Sequence, residues 1–350
     1  MYDTYVIGGV DRVSVPAEVS HRIRQRMLGL YLPHKVPARF AWYLIRNTPA
    51  LRHLRWISYH ANGPSQRHDG LDWEKWTCEV AQELSLGKVL AAFYFPPQIN
   101  RKQCSVLLFD KTDEPIAFAR LAWGAQEIKQ SMREQRGLAF FQSYDFQTFE
   151  APVFLFQGQF EGTHYVLYSP IPLIAKRAPG FWNEIYQQAW AEMVRLTEKS
   201  VMLNNLHWWD SKTFSDCTWN TVVARLKSLL ANRGARCSAA HGDFTPWNAR
   251  IISNRLLLFD WENFEHEAPL FLDPFYFVLS HSVLVKNQRS YSAIYSHIID
   301  TLSLSVIQPD EADILLTLVY LKIHLQNPLL IRIIDGLVPC AIKWANRHGL

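Results

Sequence analysis

Cysteine is scarce and unpatterned in this chain. Five occur in 350 residues, at positions 78, 104, 217, 237 and 340. The number is odd and the spacing scattered, which excludes a disulfide framework and a paired-cysteine zinc site. A reduced, cytoplasmic setting is the expectation. Met1-Tyr2-Asp3-Thr4 lacks the basic region and apolar core of a signal peptide. No uninterrupted apolar run reaches the length of a membrane span; the nearest, Ile314 to Leu330, is broken by Lys322, His324, Gln326 and Asn327 and predicts a buried helix. Neither charge sign is in large excess, with a net of +4, and no nucleic-acid-binding motif is present, so nucleic acid is not an expected partner. Internal repeats and low-complexity segments are also missing.

What is present is enough apolar material for a full core. At 40.7 kDa and 49% hydrophobic residues, the chain reads as globular, with one large or two smaller domains. The positive charge is concentrated early, with nine Lys and Arg against three acids in residues 1–60. The stretch Arg39-Phe40-Ala41-Trp42-Tyr43-Leu44-Ile45-Arg46 mixes aromatics with cations. The first reading is a solvated basic exterior packed by its apolar side. The second is a weak membrane-surface contact through this basic segment.

The chemistry is concentrated in His241-Gly242-Asp243-Phe244-Thr245-Pro246-Trp247-Asn248 and, after a short apolar hairpin, Phe259-Asp260-Trp261-Glu262. An Asp, an Asn five positions on and a second Asp twelve beyond that are the polar parts used to surround a metal ion and an acceptor hydroxyl in phosphoryl transfer. Ile251-Ile252 and Arg255 to Phe259 predict two strands around the turn-prone pair Ser253-Asn254. Antiparallel pairing then puts Asn248 and Asp260 together at the open end of the hairpin, where one cation could touch both side-chain oxygens.

This pattern resembles the aminoglycoside phosphotransferase and choline kinase family, small-molecule relatives of the protein kinases. The resemblance implies an α+β, bilobal, protein-kinase-like fold with a small antiparallel-sheet N-lobe and a mostly helical C-lobe. It implies that Asp243 orients the acceptor hydroxyl and takes its proton, that Asn248 and Asp260 hold magnesium, and that His241 is structural. Glu262 has two readings, a place in the metal shell beside Asp260 or a salt bridge to the loop. Asp273, in Leu272-Asp273-Pro274, reads as a helix cap or loop brace.

Upstream, Val89 to Phe95, Ser105 to Phe109 and Ile116 to Leu121 read as strands of the nucleotide-covering sheet, followed by a helix over Ala125 to Phe141. By position, Arg120 and Glu134 resemble the family's cation–carboxylate pair that holds nucleotide phosphates, although the family normally has Lys where Arg120 stands. The loop Pro96 to Lys102 contains no glycine to cradle phosphate, so Lys102 or Arg101 would supply a compensating charge, or would be solvated loop cations. Val166 to Pro172 falls where the resemblance puts the hinge, with backbone groups near Tyr168 and Ser169 facing adenine. Helices are expected over Phe181 to Thr197 and Trp219 to Ala231.

The expected organisation is a basic N-terminal extension over 1–75, an N-lobe over 76–168 and a C-lobe over 169–350. Ile7-Gly8-Gly9-Val10 is not a nucleotide fingerprint, because an isolated Gly pair reads as a turn. The added N-terminal segment is similar to kinase-like proteins of bacterial surface-polysaccharide pathways. The leading expectation is an ATP- or GTP-dependent, magnesium-requiring phosphotransferase acting on a hydroxyl of a small molecule, a sugar or amino alcohol. A pseudokinase with a binding or regulatory role is the alternative. The minor alternative is a metal-dependent phosphoester hydrolase built on His241, Asp243, Asp260, Glu262 and His266.

Overall fold

The computed structural model of the protein describes residues 2–7, 10–28, 36–48, 58–61, 71–96, 101–110, 112, 114–172, 174–209, 214 and 216–347. The chain divides into two compact units, Met1–Gln142 with Pro152–Ile174, and Ser143–Ala151 with Ala175–Leu350.

The first unit is built on an eight-stranded antiparallel sheet. Its strands are β1 (Tyr2–Ile7), β2 (Val10–Pro16), β3 (Ser58–Ala61), β4 (Leu90–Tyr94), β5 (Gln103–Phe109) and β6 (Pro115–Ala122). After the short β7 (Phe149–Glu150), which belongs to the other unit, come β8 (Phe154–Phe160) and β9 (Thr163–Tyr168), and the spatial order is β3-β1-β2-β4-β5-β6-β9-β8. The three strands expected between residues 89 and 121 are β4, β5 and β6. The stretch expected as an added segment supplies β1, β2 and β3, which makes the sheet larger than the motif implied. Pairing of Val13 with Tyr94 and of Ser14 with Phe93 covers the edge of β4, whose N–H and C=O groups would otherwise be open to other chains.

Helices α1 (His21–Met27), α2 (Val36–Asn47), α3 (Trp73–Glu83) and α4 (Ala125–Gln142) pack on the sheet. Strand alternation decides which meets what. Ala91 and Phe93 of β4, with Ala117, Ala119 and Leu121 of β6, cluster with Trp73, Trp76 and Val80 of α3. Ala92 points the other way and clusters with Val13, Val15, Ile23, Met27 and Trp42. The basic aromatic helix is therefore packed by its apolar side: Trp42 is buried and its indole donates to the Leu28 carbonyl at 3.1 Å. Tyr31-Leu32-Pro33 and the glycines at 8 and 9 lie outside the described residues.

The second unit is mostly helical. It contains α5 (Glu184–Thr197), α6 (Cys217–Leu230), α7 (Leu272–Ser280) running into a π turn at His281–Val285, α8 (Tyr291–Ser303), α9 (Glu311–His324) and α10 (Pro328–Arg347). Two small sheets accompany them. One has the order β10 (Lys176–Arg177), β13 (Ala249–Ile252), β14 (Arg255–Leu258), β7; the other joins β11 (Lys199–Val201), β12 (Ala235–Ala240) and β15 (Glu265–Pro269). The apolar run at 314–330 forms most of α9, buried from Glu311 to Leu321, and the start of α10. No helix among the described residues is long and apolar enough to cross a membrane. Asp310 and Asp313 form a capping box at the start of α9, and Asp313 also pairs with Arg236 of β12. That pair ties the helix to the strand that leads into the motif. A sheet-based first unit and a helical second unit are the α+β architecture that the resemblance implied.

Candidate active site

Strand β12 runs directly into His241, Gly242 and Asp243, and the loop is held from below by one carboxylate. Asp273, in the first turn of α7, accepts from the His241 N–H at 2.8 Å and the Gly242 N–H at 3.0 Å. Its side chain therefore braces the loop; the N-cap position of α7 makes no side-chain hydrogen bond. Gly242 has φ +77°, a left-handed conformation open to glycine, and a Cβ there would overlap the Asn263 carbonyl oxygen.

His241 is fully buried. Its Nδ1 accepts from the Asp243 N–H at 3.3 Å, so its Nε2 carries the proton that is donated to the Phe259 carbonyl at 3.0 Å. The ring packs against Trp261 with centroids 4.3 Å apart. Burial holds the imidazole neutral, pushing its pKa down to about 4 against a smaller upward pull from Asp260. The ring thus joins the Asp243 loop to the strand end that carries Asp260.

Asp243 is half-buried, and its two oxygens differ. Oδ2 accepts from Asn248 Nδ2 at 2.9 Å, and the same amide donates to the Asp243 carbonyl at 3.1 Å. Oδ1 is buried without a hydrogen-bond partner. Burial raises the carboxyl well above the usual carboxylate range, and the charges of Asp260 and Glu262 push the same way, partly offset by Asn248. With Nδ2 committed to Asp243, Oδ1 is the acceptor atom of the Asn248 side chain. Asp273 is raised to about 7 by burial, against the two N–H groups it accepts.

The hairpin forms as the spacing predicts. Ala249 pairs with Leu258, Ile252 with Arg255, and Ser253 and Asn254 both have positive φ (49° and 63°), as a type I′ turn requires. At the open end the Phe259 N–H donates to the Asn248 carbonyl at 3.1 Å, which places Asp260 one residue beyond the backbone of Asn248. The segment after β14 is not extended, however. Asp260 is left-handed (φ 71°, ψ 56°) and residues Trp261–Asn263 form a 3-10 turn. The relation of Glu262 to Asp260 is therefore set by a turn rather than by strand alternation. The charge of Glu262 acts on Asp243 all the same.

The hydrolase constellation is not assembled. Both ring nitrogens of His241 are engaged in the loop, and no group of three His, Cys, Asp or Glu able to hold a metal ion occurs among the described residues. His266 is exposed and packs against Phe264.

In the first unit, Arg120 and Glu134 meet. Strand alternation turns Arg120 away from the Ala119 and Leu121 face, toward α4. Its Nη1 lies 3.3 Å from Glu134 Oε2, with both side chains buried. Tyr168 contributes its side chain rather than its backbone alone: the hydroxyl donates to Glu134 Oε2 at 3.3 Å. Burial and the Glu134 charge raise that phenol. The Ser169 N–H is bonded to the Val153 carbonyl at 2.8 Å and its hydroxyl accepts from the Val153 N–H at 2.9 Å. Lys102 is exposed, its carbonyl accepting from the Trp123 N–H at 2.9 Å. Residues 97–100 of the glycine-free loop lie outside the described residues.

Two residues beside the site were missed from sequence. Tyr276 lies one helical turn after Asp273 on α7, and its phenol is raised by burial and by the charge of Asp243. An i, i+3 count from Asp273 would have found it. Arg250 lies two residues after Asn248 and stacks over Phe259, with Cζ 5.1 Å from the ring centroid.

No protein-family model matches the chain, and no curated protein does. Among solved structures it is similar to aminoglycoside phosphotransferase APH(4)-Ia in a ternary complex with ADP and hygromycin B, at 10% identity over 78% of this chain and 98% of that one, with a TM-score of 0.46. It is also similar to amicoumacin kinase hAmiN in complex with AMP-PNP, Ca2+ and amicoumacin (11% identity, 77% and 94% covered, TM-score 0.42). A third is the GDP and kanamycin complex of an APH(2″) phosphotransferase (10% identity, 77% and 98% covered, TM-score 0.44).

Proposed function

We propose that the protein is an ATP- or GTP-dependent phosphotransferase that phosphorylates a hydroxyl of a small molecule, a sugar or an amino alcohol. The observation that supports this most is Asp243: one oxygen is fixed by Asn248, the other is buried without a partner, and burial with the surrounding charge raises its proton affinity. A hydroxyl donating to Oδ1 would satisfy the orphaned acceptor and be aimed for attack. Asp243 would then take the proton as the phosphoryl group arrives.

The donor set at the hairpin's open end fits magnesium, being an amide oxygen from Asn248 and a carboxylate from Asp260, both hard oxygen ligands. Asn248 and Asp260 would hold the ion, which would supply positive charge against the negative charge that Asp243, Asp260 and Glu262 concentrate. The chain's own contribution is positional. Asp273 and His241 lock the loop, Asn248 orients Asp243, and the left-handed Asp260 ends the hairpin beside it. In the first unit, Arg120, paired with Glu134, which also accepts from the Tyr168 hydroxyl, would hold the non-transferred phosphates as a fork in place of the more usual lysine. Lys102 would add a cation for the phosphates, and backbone carbonyls near Tyr168 and Ser169 would contact the base, the Ser169 N–H being committed to Val153.

The test is thermal stability with ATP or GTP, each with and without magnesium, on the wild type, Asp260→Ala and Asp243→Asn. A magnesium-dependent rise in Tm lost in Asp260→Ala and kept in Asp243→Asn is expected. With an acceptor, Asp243→Asn should lower kcat by about 10²–10⁴-fold. EDTA should abolish both the Tm rise and turnover. No nucleotide effect under any condition would sink the reading.

A further inference from the structure

Arg250 faces another arginine. Its cross-strand partner on β10 is Arg177, and directly opposed residues of an antiparallel pair project to the same face. Two guanidiniums so placed repel unless an anion lies with them. The protein supplies none: Arg250 donates to the carbonyls of Trp247 at 3.3 Å and Ala249 at 2.8 Å and lies over Phe259, and among the described residues neither arginine pairs with a carboxylate. The nearby Tyr186 hydroxyl is committed to the Pro179 carbonyl at 2.8 Å.

Arg250 is half-buried and Arg177 exposed, so the pair combines a fixed cation with an open approach. A partly desolvated cation beside a second cation is costly without a counter-charge. The two carbonyl bonds and the aromatic face hold Arg250 in one orientation, which reduces the entropy lost when a ligand binds.

We propose that Arg177 and Arg250 form an oxyanion subsite on the β10–β13 face that takes a phosphate group of a bound small molecule. Two planar forks match the several oxygens and double charge of a phosphate better than a single carboxylate. The subsite lies close in chain to the metal-holding pair, since Arg250 is two residues from Asn248 and the Phe259 beneath it precedes Asp260. The assignment deepens the phosphotransferase reading, on which it rests only for the identity of the molecule that carries the phosphate.

Isothermal titration of inorganic pyrophosphate in EDTA tests it on the wild type, Arg177→Gln, Arg250→Met, Arg250→Lys and Asp260→Ala. The wild type and Asp260→Ala should bind alike, because the subsite needs no metal. Arg177→Gln and Arg250→Met should each weaken binding about tenfold or more, and Arg250→Lys should retain part of the affinity. Arg177→Gln should keep or raise the ligand-free Tm, since it removes a like-charge neighbour, and so separates lost binding from lost folding. No binding to the wild type, or equal binding to both neutral variants, overturns the subsite even if nucleotide and magnesium bind as proposed above. If the subsite holds, repeating the titration at saturating magnesium–ATP identifies the source. Competition assigns the subsite to the nucleotide's phosphates, and undiminished binding assigns it to a phosphorylated acceptor.

Discussion

A methyl group at Gly242 would test whether the Asp243 loop is as tightly enclosed as it looks. Gly242 sits at φ +77°, a region that costs a non-glycine residue about 1–2 kcal/mol. The added Cβ would also overlap the Asn263 carbonyl oxygen, a backbone atom in the 3-10 turn closed by the Phe264 N–H on the Trp261 carbonyl at 3.0 Å. Backbone cannot swing aside as a side chain can, so overpacking adds about 1–3 kcal/mol. The expected cost of Gly242→Ala is therefore about 2–5 kcal/mol. Gly162 is the open control, with φ +78° and nothing within 4 Å of its Cβ position, and should cost only the conformational part. Gly234, in the same unit as Gly242, should fall between them, because its Cβ would meet the Ser200 hydroxyl at 2.6 Å and the Val201 carbonyl at 3.1 Å. Urea unfolding gives the three values, compared as midpoint shifts at constant m. If Gly242→Ala costs no more than Gly162→Ala, the loop has room that these contacts deny. The close approach of the loop to the Asn263 carbonyl would then be absent.

Further outcomes are expected from the charged groups. Glu134→Ala removes the carboxylate that faces the buried Arg120 and should cost about 3–5 kcal/mol, whereas Arg120→Met with Glu134→Leu should cost far less; equal losses in urea unfolding would refute the pair's coupling. Asp273 titrates near 7 because burial opposes its charge. Its contribution to stability is fully present below the ordinary aspartate range and is lost as pH rises through about 7, so Asp273→Asn should show a shallower fall in stability between pH 4 and 8 than the wild type. Parallel profiles would count against that carboxylate being buried in the loop. His241 acts in the opposite sense, since burial lowers it to about 4. The stability it contributes is present above the ordinary histidine range and lost as pH falls toward 4, and His241→Gln should flatten the acid limb; an unchanged limb would place the imidazole in water.

The hairpin within the motif was legible because its geometry is local. Asn248 and Asp260 are joined by a hairpin whose apolar strands and Ser253-Asn254 turn are written in adjacent residues, and two-residue antiparallel closure brings the flanks together whatever the rest of the chain does. Arg120 and Glu134 were similarly traceable, because a strand followed by a helix leaves few ways for a cation and a carboxylate fourteen residues apart to meet. The place of β1, β2 and β3 in the sheet was not traceable. Edge pairing depends on backbone groups that every sequence carries, so residues 1–61 gave no local sign of the strand they would extend.

By itself, then, the amino-acid sequence determined the apolar content of the core, the hairpin, and the strand and helix periods. These follow from short-range geometry and from composition. Tertiary structure alone decided that Asp273 serves the loop rather than its own helix, that Glu262 leaves a turn instead of a strand, that Tyr168 reaches Glu134 through its hydroxyl, and that Arg177 stands opposite Arg250. Apart from the local turn at Glu262, each of these joins residues through burial or strand register across distant chain, and such contacts exist only once the core has closed and chosen which polar atoms are left without water.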